Sequence, residues 1–429
     1  MSRGLLRIQI TLLALCILLA GSTAPAADPV PAAGAPAAAA VAPAAVPAPL
    51  PPLTQVSDWI KFDIERVGGG TWKASIASPG TDQAMLRITP TRPNGKKIVV
   101  LMDVQAAYTD TALKTFLAIY ADKGYYPTIT LANYQKDAGK LARVIGSIAA
   151  GEYDLAITLG SNALKDAHKK LQGKKVPVVT MCNKDPVLLK YVKTYDKGSG
   201  DNFAFTSVNT PIDVQMTFLK KLAGEIKAVA ILVDRSNKSA METQYKPFKE
   251  ALEKEGIAVV DVIVGPEDDK DPKLLEIVKA DLAAMVPEGM AKLAAADPGG
   301  KGSVFWLTYC TSIVKNLETL NQNTGTVPVV GVATDTVLEG DNSTVIGIGV
   351  SFESNAYTSA MYGMNILSGK VKPGDLPVGL TSPPDIAINF KRARAIGMKI
   401  PFAFFESANI VYGADGVKAR DKGQKVAAR

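Results

Sequence analysis

From residue 96 onward the chain alternates between two hydrophobic patterns. Unbroken apolar runs rich in β-branched residues occupy Lys97–Met102, Tyr126–Leu131, Leu155–Leu159, Val176–Met181, Ala228–Val233, Val259–Val264, Ser303–Leu307 and Val327–Val332. Runs of this length and composition predict strands buried on both faces. Between them apolar residues recur at three- and four-residue spacing, as Leu113, Phe116, Leu117 and Tyr120 do in ALKTFLAIYADKG, which predicts amphipathic helices. Gly124 and Gly256 stand just past two of these helices, where a glycine commonly ends a helix. The alternation predicts an α/β fold with two parallel sheets, each covered by helices on both faces.

Residues 54–95 break the pattern. TWKASI and AMLRITP alternate apolar and polar positions and are separated by GGG and SPG turn signals, so a small β-rich extension is expected before the first lobe. Gly68–Gly70 reads as a flexible turn, because no helix carrying Lys-Ser or Lys-Thr follows it as a phosphate loop requires. Residues 27–53 are almost entirely Ala and Pro, the composition of a linker. Ahead of them Arg3 and Arg7 precede an apolar run from Ile8 to Ala20, and STAPAAD follows. These three parts predict a secretory signal over residues 1–26, cleaved near Ala26 or Ala27, and hence a periplasmic protein. The run, about 13 residues, is short of the roughly 20 that span a bilayer, and Leu15 is too bulky to precede a lipidated Cys16.

Charge and cysteine usage narrow the function. The net charge is +7, spread along the chain apart from a modest cluster from Lys418 to Arg429, and no aromatic residues interleave there to stack bases, so nucleic-acid binding is not expected. That end, residues 406–429, reads as a solvated or frayed basic tail. With one histidine, His168, and three cysteines, neither a His-rich metal site nor a disulfide framework is available, and no cofactor is expected. His168, in KDAHKKL, reads as part of an exposed helical face, which leaves a thiol hydrolase without its base. Glu267–Asp269 reads as a solvated loop rather than a catalytic carboxylate pair.

In open parallel sheets ligands bind beyond the carboxyl ends of the strands. The candidate residues are therefore those following each strand: Asp103, Gln105 and Tyr108; Ser161 and Asn162; Asn183 and Asp185; Arg235, Ser236 and Asn237; Tyr309 and Thr311; and Asp335. Arg235 suits a ligand carboxylate, and Asp335 or Asp185 an amine. Helix capping is the competing role for Ser161, Asn162, Ser236, Asn237 and Asp335.

TLGSNALKDA, VPVVTMCNKDPV, FTSVNTPIDVQMTFLKKL leading to AVAILVDRSNKSA, and the closing VATD, ILSGK and IAINFKRARAIGMKIP stand in an order that resembles the ABC transporter substrate-binding proteins of the type 1 periplasmic-binding fold, in the branch that includes tryptophan and tyrosine receptors. The resemblance spans about Lys97 to Pro401. It implies two Rossmann-like lobes, residues 96–205 with 344–377 and residues 206–343 with 378–405, joined by a three-strand hinge near Phe203–Asn209, Thr344–Ser351 and Val378–Asn389. It also implies lobes that close on a small solute, an inner-membrane ABC permease as partner, and a monomer. The matching ligand positions are the residues above apart from Asp103 and Arg235, with Ser351 added. Asp234, Arg235 and Ser236 replace the Asn-Pro-Ser turn common in relatives, and Tyr309 and Cys310 replace a more polar pair, so the ligand follows less directly than the fold. A ligand sensor reporting to a membrane partner is an alternative on the same fold. Cys182 and Cys310, one per lobe, are read as independent thiols, with a cross-cleft disulfide as the other possibility.

Overall fold

The computed structural model describes residues 52–222, 224–422 and 424–425; the expected signal and nearly all of the Ala/Pro linker lie outside them. The first sheet contains β1 (Trp72–Ala77), β2 (Met85–Pro90), β3 (Lys97–Met102), β4 (Thr128–Asn133), β5 (Leu155–Leu159), β6 (Val178–Met181) and β7 (Phe203–Ala204) in the order β1-β2-β4-β3-β5-β6-β7. Strands β3 to β7 pair in parallel, with β1 and β2 added antiparallel at one edge. The second sheet contains β8 (Ala228–Asp234), β9 (Ala258–Val264), β10 (Ser303–Leu307), β11 (Val329–Gly331), β12 (Ile346–Gly349), β13 (Asp385–Asn389), β14 (Ile410–Tyr412), β15 (Lys418–Asp421) and β16 (Gln424–Lys425). Its order is β16-β15-β14-β13-β12-β11-β10-β8-β9. The expected two-lobed α/β architecture is present, and the predicted strands fall within a few residues of the observed ones, but the second sheet is mixed and not parallel throughout: β8 to β12 pair in parallel, whereas β13 runs antiparallel to β12 and β15 antiparallel to β14 and β16. Gly124 and Gly256 end their helices at φ +65° and +75°, as read from the sequence.

Strand order reverses between β3 and β5 in the first sheet and between β8 and β10 in the second. These switch points open a crevice at the strand ends of each lobe. Buried apolar residues fill both faces of the first sheet and both faces of the second. The helix Phe352–Leu367 follows β12 yet packs on the first lobe, burying Phe352, Ala356, Ala360 and Met364 at four-residue spacing.

The extension is part of the first lobe's core rather than an appendage. Leu53, Trp59, Ile60, Ile64, Val67 and Trp72 are buried against the helix Ala107–Asp122, and the Trp72 indole donates to the Leu117 carbonyl at 3.2 Å. Two fully buried tryptophans contribute several kcal/mol of apolar burial, on the order of 2–3 kcal/mol each, which is why this segment orders although its strands are short.

Three further expectations are corrected. Residues 346–349, placed with the first lobe, pair as β12 with β11 and β13 in the second sheet, so this crossing falls at Val350–Ser351. Val378 and Leu380 pack in the first lobe, and Gly379 bridges Thr206, so the last crossing starts after Leu380 and not at Val378. The segment read as a frayed tail contributes β14 to β16, through alternating Val411 and Tyr412 and an Arg420 guanidinium stacked on Phe405 that donates to the Phe405 and Ala408 carbonyls. Among the described residues no helix is long and apolar enough to cross a membrane.

Candidate functional site

The strand ends of the two lobes face one another, and aromatic rings bridge them. Tyr108, in the first lobe, lies 5.4 Å from Phe352 between ring centroids, and Phe352 lies 5.2 Å edge-on from Tyr309 of the second lobe. Tyr309 packs against the cores of both lobes. Its backbone is held by Gln244, whose Oε1 accepts the Tyr309 N–H at 2.9 Å from a π-helical turn, Met241–Tyr245. Tyr108 reaches its position because Gly160 has no side chain: a Cβ there would stand 2.7 Å from the Tyr108 hydroxyl, and the residue sits at φ +93°.

Charged groups flank this aromatic bridge. Lys184 is buried and its Nζ donates to the Tyr309 carbonyl at 2.9 Å, with the ammonium 5.4 Å from the Tyr309 ring centroid. Asp335, partly buried in the short helical turn Thr334–Thr336 that follows β11, accepts a hydrogen bond from the Phe352 backbone at the start of helix Phe352–Leu367. Burial first, and the nearby Glu353 carboxylate second, push Asp335 up to about 7. Burial raises the Tyr108 and Tyr309 phenols and the Cys182 and Cys310 thiols, so all four stay neutral at physiological pH.

At the outer rim, Asn162 Nδ2 donates to Asp103 Oδ2 at 2.9 Å across the β3/β5 switch point and approaches Asp269 Oδ2 at 3.4 Å. Lys136 Nζ pairs with the Asp269 carboxylate at 2.9 Å and with its carbonyl at 3.0 Å. Asp269 is therefore a cross-lobe partner rather than part of a solvated loop.

Several sequence candidates serve the loops instead of the cleft. Asp185 Oδ1 accepts the Val187 and Leu188 N–H groups at 2.8 and 3.0 Å, while Oδ2 accepts the Tyr195 hydroxyl at 2.5 Å. Asn183 donates to the Lys184 and Thr206 carbonyls. Ser236 binds Asp234, Asn237 caps the helical turn at Ala240, and Ser351 caps helix Phe352–Leu367 through the Ser354 N–H. Arg235 donates to the Ile263 carbonyl at 2.9 Å and faces Glu267 at 3.9 Å. Gln105 donates to Asp110, and Ser161 Oγ accepts the Lys184 N–H, which orients the Lys184 loop. Thr311 opens the short helix Thr311–Val314 beside Tyr309.

Lys184, Gln244 and Phe352 were not singled out from the sequence. Lys184 carried a signal, being a cation within one residue of the candidate pair Asn183 and Asp185 at the end of a buried strand. His168 is not on an exposed face: its ring lies 4.7 Å from Tyr191 and 4.9 Å from Phe203, and burial lowers its basicity. Cys182 and Cys310 are free, separate and buried. Among the described residues no group of three or more His, Cys, Asp or Glu side chains is arranged to hold a metal.

Comparison with known proteins agrees with this architecture. The tryptophan-complexed ABC domain from Streptococcus pneumonia is 23% identical, with a TM-score of 0.58, and the match covers 74% of this chain and all of that one. A conserved domain protein from Vibrio cholerae is 19% identical at the same TM-score, covering 74% of this chain and 100% of that chain. The ligand-free, open substrate-binding protein CD0873 of Clostridium difficile is 20% identical with a TM-score of 0.55, over 71% of this chain and 96% of that chain. Curated protein sequences give no match. A profile of the family described as ABC transporter substrate binding protein matches residues 97–411, so the chain belongs to the ABC transporter substrate-binding proteins.

Proposed function

We propose that the protein captures a small solute, an amino acid or related carboxylate, between its two lobes in the periplasm and delivers it, as a monomer, to an ABC permease in the inner membrane. The observation that carries this reading is the cross-lobe aromatic bridge of Tyr108, Phe352 and Tyr309 flanked by one buried cation, Lys184, and one carboxylate, Asp335. Flat apolar surface with a few polar groups of opposite charge suits a zwitterion that carries an apolar side chain. The tryptophan complex of the structurally similar Streptococcus protein supports an aromatic amino acid as the first solute to try. Binding opens the lobes about the three crossing segments, separates the aromatic bridge, inserts the solute, and recloses the lobes on it.

A thermal-shift screen of amino acids, organic acids, sugars and nucleosides tests this. A solute at 100 times its dissociation constant adds about 2.7 kcal/mol of stability, and Tyr309→Ala is expected to abolish the response. Absence of a shift with every solute class would remove the capture reading.

A further inference from the structure

Lys184 follows β6 and is 6% exposed. An ammonium carries three N–H donors, yet among the described residues this one meets one acceptor, the Tyr309 carbonyl, and no carboxylate. Its sequence neighbour Asp185 is turned away, with both oxygens engaged by Tyr195 and by the Val187 and Leu188 N–H groups. The titratable groups facing it from the second lobe are the Cys310 thiol and the Tyr309 phenol, both held neutral by burial. From its own lobe Ser161 fixes only its backbone.

A buried charge without a counter-ion is strongly unfavourable, and buried charges are as a rule paired or bound to a metal. Burial lowers Lys184 to about 8, so at neutral pH it remains mostly charged in a place that disfavours the charge. The Tyr309 carbonyl is a neutral acceptor contributed by the opposite lobe, at the edge of the aromatic bridge.

We infer that Lys184 is the anion anchor of the cleft: an anionic group of the solute takes the position of the Tyr309 carbonyl on the Lys184 ammonium, and this pairing sets specificity for carboxylates over neutral solutes. Without solute the same ammonium ties the lobes together through Tyr309. The inference rests on the solute-capture reading and adds to it the charge of the ligand and the residue that reads it. A carboxylate pairs with a buried ammonium through short, charge-assisted hydrogen bonds, whereas an amide or a polyol leaves the cation uncompensated. Discrimination by an unpaired buried group is large, on the order of a hundredfold or more.

The test uses the full-chain protein with matched probes: amino acids and aliphatic or aromatic carboxylates, their carboxamides, and myo-inositol as a neutral polyol. Thermal shift and titration calorimetry are run on wild type, Lys184→Met and Lys184→Arg. In wild type the acids bind at least tenfold more tightly than their amides, and an amine-free acid such as indole-3-propionate, if among the binders, loses affinity between pH 6.5 and 9. Lys184→Met loses at least tenfold in affinity for the acids while its melting temperature is unchanged or higher. Lys184→Arg keeps acid binding and flattens its pH dependence. Amides or inositol binding wild type as tightly as acids would overturn the anchor and leave solute capture standing. A Lys184→Met protein that melts much lower yet binds acids unchanged would make Lys184 a structural tie only. Were Lys184→Met not to fold, the acid-to-amide ratio in wild type decides alone. No response from any probe in wild type overturns both readings.

Discussion

The loop after β8 directs its polar groups onto one another. Asp234 Oδ1 accepts from the Ser236 N–H at 2.9 Å and hydroxyl at 2.7 Å, Oδ2 accepts from the Ser312 hydroxyl across the switch point, and Asn237 caps the turn that follows. The centre of the cleft, at the ends of β6 and β11, is built differently. There Lys184 has one neutral acceptor and Asp335 is pushed up to about 7 by burial. Both regions place charged side chains at strand ends; the first uses them to make a loop rigid, and the second leaves the Lys184 ammonium with one neutral acceptor and holds Asp335, bonded to the Phe352 backbone, where burial disfavours its charge. A closed network has no capacity for a ligand, while an uncompensated one gains by meeting it.

The widest separation between these regions is expected in their pH dependence. Asp335 holds its proton in the folded protein to about 7, against an ordinary value near 3.9. A raised carboxylate pKa means that the folded state binds more protons between those limits, so its contribution is fully present below pH 4 and is lost as pH rises through 7. The Tyr309 phenol and Cys182 thiol that couple to it stay protonated over this window, and Glu353 adds its repulsion. The shift is worth roughly 4 kcal/mol. Asp335→Asn should therefore match wild type at pH 4 and exceed it by a few kcal/mol at pH 8, measured by urea unfolding. Equal stability of the two proteins at pH 8 would mean that Asp335 is well solvated and belongs with the satisfied carboxylates.

Asp234→Ala works in the opposite sense. It strands the buried Ser236 and Ser312 donors and should destabilise by about 3 kcal/mol at neutral pH. The midpoint of chemical unfolding reports this, and a loss under 1 kcal/mol would show that the loop does not depend on its carboxylate.

Much of the scaffold was legible because hydrophobic period is a local property. The runs at Lys97–Met102, Leu155–Leu159 and Ser303–Leu307 coincide with β3, β5 and β10. The tail was misread because β14 to β16 gain their stability from pairing beside β13, a non-local partner that short, half-polar strands do not announce. The same limit governs the site. Ser236, Asn237, Asp185 and Ser351 are the residue types that cap turns and also the types that hold ligands, and only the direction of their hydrogen bonds separates the roles. Tyr108, Tyr309 and Asp335 were named from strand ends and do meet at the cleft, whereas Phe352 belongs to a helix whose docking on the other lobe follows from the crossing at Val350–Ser351.

Asp185 and Lys184 bring the comparison down to adjacent residues. Asp185→Ala removes an acceptor from two backbone N–H groups and from the Tyr195 hydroxyl. The cost should be about 2 kcal/mol of stability with little change in solute affinity. Lys184→Met should show the reverse pattern, so measuring melting temperature and affinity for both variants separates a satisfied charge from an open one. A large loss of affinity in Asp185→Ala would bring Asp185 back into the ligand set.

The smallest effect belongs to the rim, where the Lys136–Asp269 pair joins the lobes at 2.9 Å. Gln135 and Lys136 occupy left-handed backbone conformations, φ +51° and +58°, and this tight turn presents the ammonium to the opposite lobe. The side chains are 26% and 35% exposed, so the pair is worth at most about 1 kcal/mol and is screened by salt. That energy corresponds to about a fivefold change in the ratio of open to closed lobes. Asp269→Asn should enlarge the radius of gyration measured by small-angle scattering at low ionic strength, and 1 M salt should bring wild type towards the variant. Identical scattering at both salt concentrations would make the rim ion pair a consequence of closure and not a cause of it.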